Sequence, residues 1–330
     1  MIRREAGLLP AGYGKGRSGH LVSDWVELFA PLVAGLPSSV RAPSYLILDS
    51  LPFRLRRARS GMGASGLAFT IYAALGQEPD GSKRLLALEA FPGIATSQGL
   101  SHWQSFLSSL QGRLSGDPLS IVSDRETPLL KALSQIWPSA KTGDLLQAIS
   151  SGNPQASRGG GQAAPGPILW YCHHHLKGSI RNLLTKAGIQ LPDPLLADLE
   201  QAFSTSADWT AYKAQMRARR PYKRFRKATG WLSRQERIID WQVQNQRFYP
   251  ASVGALEAYL ARLRSHFDDR RGRLLNRERT NRLLLLMLME ENGEADERAY
   301  AKAIRQELLQ NGGRARPSRQ IEDRHGPSLR

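Results

Sequence analysis

The 330-residue sequence is poor in cysteine, in acidic residues and in long apolar runs. Its single cysteine, Cys172, excludes an internal disulfide framework and any zinc site built from several cysteines. The first residues lack the apolar core of a signal peptide, and no later stretch approaches the roughly 18 uncharged apolar residues that span a membrane. The sequence therefore predicts a cytoplasmic protein without a membrane partner.

Basic residues outnumber acidic ones, 46 against 29, which gives a net charge of +17. A surface with this charge attracts polyanions, so nucleic acid is the first candidate partner. The glycines of GKGRSG, at 14–19, have the spacing of a dinucleotide-binding motif. That motif works only between a strand and a helix. Because no strand is predicted before it, we interpret this segment as a basic leader, followed by a short helix at 24–36.

Two short apolar runs each end in an aspartate. YLILDS, at 45–50, carries Asp49, and LSIVSD, at 119–124, carries Asp124. A continuous apolar run of this length is typical of a strand that is buried on both faces of a sheet. We therefore expect each strand to present one carboxylate at its C-terminal tip. The alternative is that both aspartates only begin turns or cap helices, as this residue often does.

The order of the predicted elements indicates an α/β fold with a mixed five-stranded sheet. Three strands, a helix, a strand and a helix make a mixed sheet rather than a doubly wound one. The Gly/Pro/Ser-rich stretch 151–167 is expected to be a mobile loop, and residues 173–310 are helical in period. In chain order the predicted elements are strands at 45–50, 66–77 and 84–91, a helix at 101–114, a strand at 119–124, a helix at 126–137 and a strand at 168–172.

The helical half of the sequence contains a dense basic segment. Residues 213–237 carry ten basic residues and one acid, with three aromatic residues among them. This composition is too one-sided for a surface of balanced salt bridges, so contact with phosphates is favoured. Aromatic rings such as Trp209, Trp231 and Trp241 would either stack on unpaired bases or form the core of the helical region. The residues predicted to contact DNA are Lys213, Arg217, Arg219, Arg220, Lys223, Arg224, Arg226, Lys227 and Trp231.

The order of elements resembles the ribonuclease-H-like core of the DDE transposases. More narrowly, SDRETPLLKALSQIWPSA at 123–140 and WYCHHHLKGSIRNLL at 170–184 are similar to segments of the Mutator-like transposases and their bacterial insertion-sequence relatives. In that family the second Asp begins a helix that runs to an aromatic residue and a proline, here Trp137–Pro138. A later strand then ends in a CxxH motif, here Cys172 and His175.

The resemblance covers roughly residues 44–290, and it implies a transposase that cuts DNA at element ends and transfers the strands. It also implies a third carboxylate, on a helix that follows an all-helical insertion. Glu257 is the best match, although the family usually has Thr or Ser and an Asn just before this Glu, whereas Val253 to Leu256 precede it here. Glu278 and Glu236 are the alternatives.

By the same resemblance, Asp49, Asp124 and Glu257 bind two Mg²⁺ or Mn²⁺ ions, and Asp49 bridges both. Two such ions about 4 Å apart activate an oxygen nucleophile and neutralise charge on the leaving oxygen. Mg²⁺ prefers hard oxygen ligands, which three carboxylates supply. The expected partners are terminal inverted repeats and target DNA, bound by a homodimer in the bacterial nucleoid. A structure-selective nuclease of the same fold, or a DNA-binding remnant without catalysis, are the alternative functions.

The cluster of Cys172 and the three histidines after it has further interpretations. A zinc site is disfavoured, because neighbours at a strand end point in different directions and do not converge on one tetrahedral ion. Cys172 is otherwise a small buried hydrophobe beside partly exposed histidines. The resemblance instead places Cys172 and His175 beside the catalytic pocket, where they position DNA or brace the metal site.

The predicted organisation has five parts. Family members generally carry a DNA-recognition domain ahead of the core, and no helix-turn-helix or zinc module is evident before residue 44, so we expect an N-terminally truncated copy. In order, the parts are a basic leader and short helix at 1–43, the first part of the ribonuclease-H-like core at 44–187 with a mobile loop at 140–167, a basic and aromatic helical insertion at 188–251, C-terminal core helices at 252–292, and a helix end with a disordered basic tail at 293–330.

Overall fold

The structure is a computed structural model. It describes residues 29, 39–55, 67–93, 98–124, 126–138, 167–246, 252–268 and 277–310. The chain forms two compact units, which we call the sheet unit (38–271) and the helical unit (1–37 with 272–330). The glycine motif at 14–19 and the tail after residue 310 lie outside the described residues, as do nearly all of the helix predicted at 24–36 and the loop predicted at 140–167.

The sheet unit contains seven described strands: β1 (Val40–Arg41), β2 (Tyr45–Leu55), β3 (Leu67–Gln77), β4 (Lys83–Pro92), β5 (Leu114–Ser115), β6 (Ser120–Ser123) and β7 (Ile168–Tyr171). Five of them form one sheet in the order β4, β3, β2, β6, β7, and β1 pairs separately with β5. β2, β3 and β4 form an antiparallel meander, whereas β6 and β7 extend the sheet in parallel with β2. The mixed five-stranded α/β sheet predicted from the sequence is confirmed, and it is consistent with a ribonuclease-H-like arrangement.

The described helices of the sheet unit are α1 (Gly99–Arg113), α2 (Thr127–Ile136), α3 (His173–Lys186), α4 (Pro194–Ala197), α5 (Ser206–Ala218), α6 (Arg226–Asn245) and α7 (Gly254–Asp268). Helices α1 and α2 cover one face of the sheet. Trp103 and Phe106 of α1 pack there with Leu46 and Leu48 of β2, and all four are nearly inaccessible to solvent. Burying each such side chain contributes about 1.5–3 kcal/mol, so this layer holds β2 firmly in place.

Helices α4 to α6 lie in the segment 188–251, which the sequence analysis predicts to be a helical insertion. Gln242 of α6 donates a hydrogen bond from Nε2 to the Tyr171 carbonyl at 2.9 Å, and Trp241 packs on Trp170, with 5.4 Å between ring centroids. Both contacts attach the insertion to the last strand of the sheet. The insertion therefore continues the sheet unit at the edge where β7 lies.

The helical unit contains α8 (Arg277–Glu291) and α9 (Glu297–Gln310) among its described residues. Gly293, with φ of +69°, lies in the turn between them and adopts the left-handed conformation that glycine tolerates best. Tyr300 of α9 packs edge-on against Phe29, with ring centroids 4.7 Å apart. No described helix of either unit is long and apolar enough to cross a bilayer.

Two predicted boundaries near the candidate site are wrong. β2 continues through Leu55, so Asp49 lies inside this strand rather than at its tip. The reason is that β3 pairs with β2 along its whole length, whereas β6 pairs only with Tyr45, Leu46 and Ile47. At the other end of the sheet, β7 stops at Tyr171, and the histidines predicted to lie at a strand end form the first turn of α3.

Candidate active site

Asp49 and Asp124 lie at the same edge of the parallel part of the sheet. The last paired residues of β2 and β6 are Ile47 and Val122, and each aspartate follows its paired residue by two positions. The shared register therefore places the two aspartates on neighbouring strands at the same level. This level is the carboxyl end of β6 and of the parallel pairing with β2, the side on which open α/β sheets bind their ligands.

Glu257 reaches the same region on α7, which packs against β2 and β3. Phe267 of this helix contacts Phe53 of β2, with ring centroids 5.4 Å apart. Because side chains alternate along a strand, Phe53 and Asp49 share one face of β2, and this is the face that α7 covers. The buried side of α7 includes Leu256, Leu260 and Leu263, as their spacing predicts.

The electrostatics of Asp49 show that acidic side chains gather around it. The pKa of the Asp49 carboxyl is raised to about 7, first by burial and also by the nearby charges of Asp124, Glu257 and Glu126. The Ser50 N–H donates to Asp49 Oδ1 at 2.7 Å and acts in the opposite direction, because it favours the ionised form. The three carboxylates predicted from the sequence are thus electrostatically coupled around Asp49.

Glu126 is a fourth carboxylate at this edge, and the sequence analysis did not select it. Trp103 Nε1 donates to Glu126 Oε2 at 3.1 Å, and the Glu126 N–H donates to Asp124 Oδ1 at 3.1 Å. Burial raises the pKa of the Glu126 carboxyl, against the effect of the Trp103 hydrogen bond. The only sequence signal was an acid just before a helix, which is common at solvent-exposed helix starts. Its indole partner comes from α1, which no local pattern reveals.

The hydrogen bond from Glu126 also shows that Asp124 begins a turn, the alternative role considered for it. Its carboxylate accepts from a backbone N–H two residues ahead, immediately before α2 begins. Such a bond fixes the orientation of the side chain. The turn therefore holds the Asp124 carboxylate in place at the end of β6, and the two roles are compatible.

Cys172 connects the end of β7 to the start of α7. Its side chain is fully buried, its N–H donates to the Ser123 carbonyl at 2.9 Å, and its Sγ accepts from the Val253 N–H at 3.5 Å. Burial raises the pKa of the Cys172 thiol. A buried neutral thiol is a small structural side chain rather than a nucleophile. Cys172 therefore helps to set the position of the helix that carries Glu257.

His175 lies in the first turn of α3 and faces Glu257. Its Nε2 is 3.7 Å from Glu257 Oε1, and the two side chains are 39% and 34% exposed. The structure thus brings the predicted pocket-adjacent pair, Cys172 and His175, into contact with the segment that contains Glu257. Of the other two histidines, His173 is buried and His174 is exposed.

The residues at this edge have the chemistry of a divalent-cation site. Their donors are carboxylate oxygens, the ligands that Mg²⁺ prefers. No basic side chain of the described residues lies within ion-pair distance of Asp49 or Asp124. As positioned, however, no three His, Cys, Asp or Glu side chains in the described part of the chain are close enough to hold one ion. The donor set therefore fits a metal, and binding requires these carboxylates to move closer together.

The raised pKa of Asp49 predicts a stability effect that does not require catalysis. Below pH 4 the carboxyl is protonated in the folded and unfolded chains alike, whereas between pH 4 and about 7 only the folded chain keeps the proton. Without metal, the free energy of unfolding should therefore fall as the pH rises through this window. Asp49→Asn should remove this loss and stabilise the metal-free chain at pH 8 by on the order of 2 kcal/mol, discounted for solvent screening.

Thermal unfolding in a chelator at pH 4 and pH 8 measures this effect. The melting temperature of Asp49→Asn should exceed that of the wild type at pH 8 and match it at pH 4. Asp80→Asn is the matched control, since Asp80 lies in the β3–β4 hairpin, away from the acidic edge. Equal pH dependence of the wild type and Asp49→Asn would contradict the raised pKa of this carboxyl.

Some of the residues predicted to contact DNA form ion pairs with acidic side chains of the insertion. Lys213 Nζ lies 2.5 Å from Asp240 Oδ1 and 3.3 Å from Glu236 Oε1, and its side chain is only 11% exposed. Arg217 Nη2 lies 2.5 Å from the same Glu236 oxygen. The one acid of the basic segment, together with Asp240 just beyond it, therefore joins α5 to α6. Glu236, an alternative third carboxylate, is occupied in these contacts.

Arg219 is also paired, with its Nη2 3.6 Å from Asp193 Oδ2. The remaining predicted cations lie on the turn between α5 and α6 and on the first turn of α6. They are exposed, and Arg224 lies over the ring of Phe225, with 5.3 Å between its Cζ and the centroid. These exposed cations are Arg220, Lys223, Arg224, Arg226 and Lys227.

The three tryptophans of the insertion differ in burial. Trp209 and Trp241 are 1% and 5% exposed, and Trp209 Nε1 donates to Asp240 Oδ1 at 2.5 Å. Both therefore belong to the core of the insertion, which is one of the two roles left open by the sequence. Trp231 is half-buried and remains accessible beside the exposed cations.

Residues 39–144 match the family model of the Mutator family transposases. The matched segment contains Asp49, Asp124, Glu126 and Trp137–Pro138, whereas Glu257 and the basic segment follow it. No curated protein matches the sequence. The family match confirms the resemblance inferred from the sequence motifs. It supports a role in transposition, and it implies DNA as the partner.

Proposed function

We propose that this chain, a Mutator-type transposase by the match over residues 39–144, cleaves DNA at the ends of a mobile element and joins the cut ends to target DNA. The observation that carries the proposal is the gathering of Asp124, Glu257 and Glu126 around the partly buried carboxyl of Asp49. Repulsion between neighbouring carboxylates destabilises the folded chain. Acidic side chains whose pKa is strongly shifted in this way cluster at functional sites.

In the proposed mechanism, Asp49 and Asp124 hold the metal from the sheet, and Glu257 holds it from α7. Two Mg²⁺ or Mn²⁺ ions, when bound, supply activation of the oxygen nucleophile and neutralise charge on the leaving oxygen. The chain contributes fixed positions for these ligands. The turn at Asp124, the Cys172 contact with Val253 and the proximity of His175 to Glu257 orient the side chains that meet at this edge. Preorganised ligands of this kind reduce the cost of reaching the transition state.

A strand-cleavage and strand-joining assay tests the proposal. The chain is incubated with Mg²⁺ and a duplex that ends in the inverted repeat flanking its gene, and products are sized on a denaturing gel. Cleavage at the repeat end together with products longer than the substrate would support a transposase. Cleavage without joined products would indicate the structure-selective nuclease, and binding without cleavage would indicate a DNA-binding remnant. A shift to two duplex ends per complex would support the proposed homodimer.

The exposed cations of the insertion are proposed to contact DNA phosphates, which predicts a strong salt dependence of binding. Each neutralised phosphate contributes about −0.9 to the slope of log K against log salt. Changing Arg220, Lys223 and Lys227 to Ala should therefore flatten the slope by about 2 to 3 units. The matched control changes three exposed lysines elsewhere in the sheet unit, Lys83, Lys131 and Lys186. Binding isotherms at several salt concentrations measure the slope, and equal flattening by both triple variants would show that the insertion is not the contact surface.

A further inference from the structure

A cleft of about 300 Å³ opens beside the first turn of α3, and no residue of the proposed catalytic triad lines it. Its walls come from that turn, from the segment between α4 and α5, and from Gln246 and Ser252. This volume is at the lower end of the range for ligand sites in proteins. The cleft is therefore large enough for one small unit of a ligand and too small for a DNA duplex.

His173 lines the cleft and contains a buried polar atom without a partner. Its side chain is 6% exposed, and its Nε2 has no hydrogen-bond partner among the described residues. The imidazole is held between Trp170 and Phe203, whose ring centroids lie 6.0 Å and 5.2 Å away. Burial, together with the charge of Lys177, lowers the pKa of His173 to about 4. Leaving such an atom unsatisfied is costly, so it indicates a ligand that provides the missing hydrogen bond.

Lys177 and Glu200 line the cleft, and a second cation, Arg181, lies beside Glu200. Lys177 Nζ lies 2.5 Å from the Glu200 carbonyl oxygen and 3.5 Å from Glu200 Oε2. Arg181, one turn further along α3, contacts the other carboxylate oxygen of the same residue. Two cations thus share one carboxylate, and one positive charge remains for an anion. A phosphodiester is the anion that a DNA-handling protein meets at this position.

The cleft adjoins the candidate active site. His173 and His174 line it, and the next residue, His175, faces Glu257 at 3.7 Å. On the opposite wall, Ser252 lies just before α7, the helix that carries Glu257. A nucleotide in this cleft would therefore lie next to DNA that is held at the carboxylates.

We propose that the cleft takes one unstacked nucleotide of the bound DNA, with the edge of its base hydrogen-bonded to His173 Nε2 and its phosphate at Lys177. Ser204 and Gln246 line the same space and offer hydroxyl and amide groups to the edge of the base. Proteins that unstack a base read its edge through hydrogen bonds of this kind. The inference rests on the proposed function and deepens it, since it names the DNA conformation that the site recognises.

The test compares two duplexes of equal length that bind the full chain in a chelator, where cleavage does not occur. One is fully paired, and the other carries a single unpaired 2-aminopurine. The wild type should bind the second duplex about tenfold more tightly, because the hydrogen bonds to the edge of the base are realised only when a base is free.

Two exposed serines provide matched variants. Ser204→Trp fills the cleft from its rim and should abolish the preference, whereas Ser206→Trp, which lies at the start of α5 and does not line the cleft, should retain it. His173→Phe keeps the ring and removes the buried Nε2, and it should reduce the preference several-fold. Circular dichroism checks that all three variants remain folded.

The outcomes separate this inference from the proposed function. Equal binding of both duplexes, or a preference that survives Ser204→Trp, would overturn the nucleotide site while leaving the DNA-binding role intact. Failure to bind either duplex would overturn both. Free deoxyadenosine monophosphate, added at the concentration of the duplex, should not displace the duplex with the unpaired base. Displacement would overturn the inference about the nucleotide site, because the cleft would then be a site for free nucleotides.

Discussion

Replacing Asp49 or Asp124 with Asn is expected to abolish metal-dependent cleavage of an end-containing duplex. Both carboxylates are proposed metal ligands, and the loss of several kcal/mol of transition-state stabilisation corresponds to a decrease of about a thousandfold or more in rate. Asn preserves the shape of each side chain, and an amide oxygen can still accept the backbone hydrogen bonds from Ser50 and Glu126. Cleavage rates in Mg²⁺ and Mn²⁺ measure the effect.

The control for this pair is Asp80→Asn, which makes the same change in charge in the β3–β4 hairpin. It should cleave at the wild-type rate. Calorimetric titration with Mn²⁺ adds a readout that does not depend on activity, and both active-site variants should lose binding. Near-normal cleavage by Asp49→Asn would show that the proposed metal site is wrong.

The second large effect concerns the proposed third carboxylate, Glu257. The variant Glu257→Gln should eliminate cleavage, whereas Glu278→Gln, at the alternative position, should keep most of the activity. Glu257 interacts electrostatically with Asp49 and lies on the helix that packs over this face of β2. Glu278 instead pairs with Arg282 across one turn of α8, at 2.6 Å, and its side chain is 71% exposed. An exposed pair of this kind contributes under about 1 kcal/mol to stability.

The measurement is the same cleavage assay with Mn²⁺ titration for both variants. Glu257→Gln should lose about a thousandfold in rate and bind metal more weakly, because one ligand is removed. Glu278→Gln should remain within about twofold of the wild type, as expected for the loss of an exposed ion pair. The reverse result would move the catalytic role to the start of α8.

The two aspartates of the candidate site were identifiable from local sequence because each ends an apolar run, and this pattern depends only on near neighbours. The end of β2 was not identifiable in this way. Beyond Asp49 the strand continues because β3 pairs with it through Leu55, and that pairing partner lies more than ten residues further along the chain. Strand length is set by the ladder rather than by the composition of the strand itself.

The basic segment 213–237 also has features that the sequence shows and features that only the fold decides. Its excess of cations was visible in the sequence, but Asp240 and Asp193, which pair with Lys213 and Arg219, lie outside it. Helix packing brings these partners into contact. The arrangement of the helices therefore decides which cations remain exposed, and these lie on the turn between α5 and α6 and on the first turn of α6.

Residue order alone defined the mixed sheet, the helical insertion and the apolar face of α7, because periodicity and strand order are properties of neighbouring residues. The gathering of acids around Asp49 is a property of the fold. It depends on the β2–β6 register, on Trp103 of α1 reaching Glu126, and on Cys172 contacting Val253. Each of these contacts joins residues from separate elements, and the pKa of Asp49 rises because burial and repulsion act only once these elements are packed together.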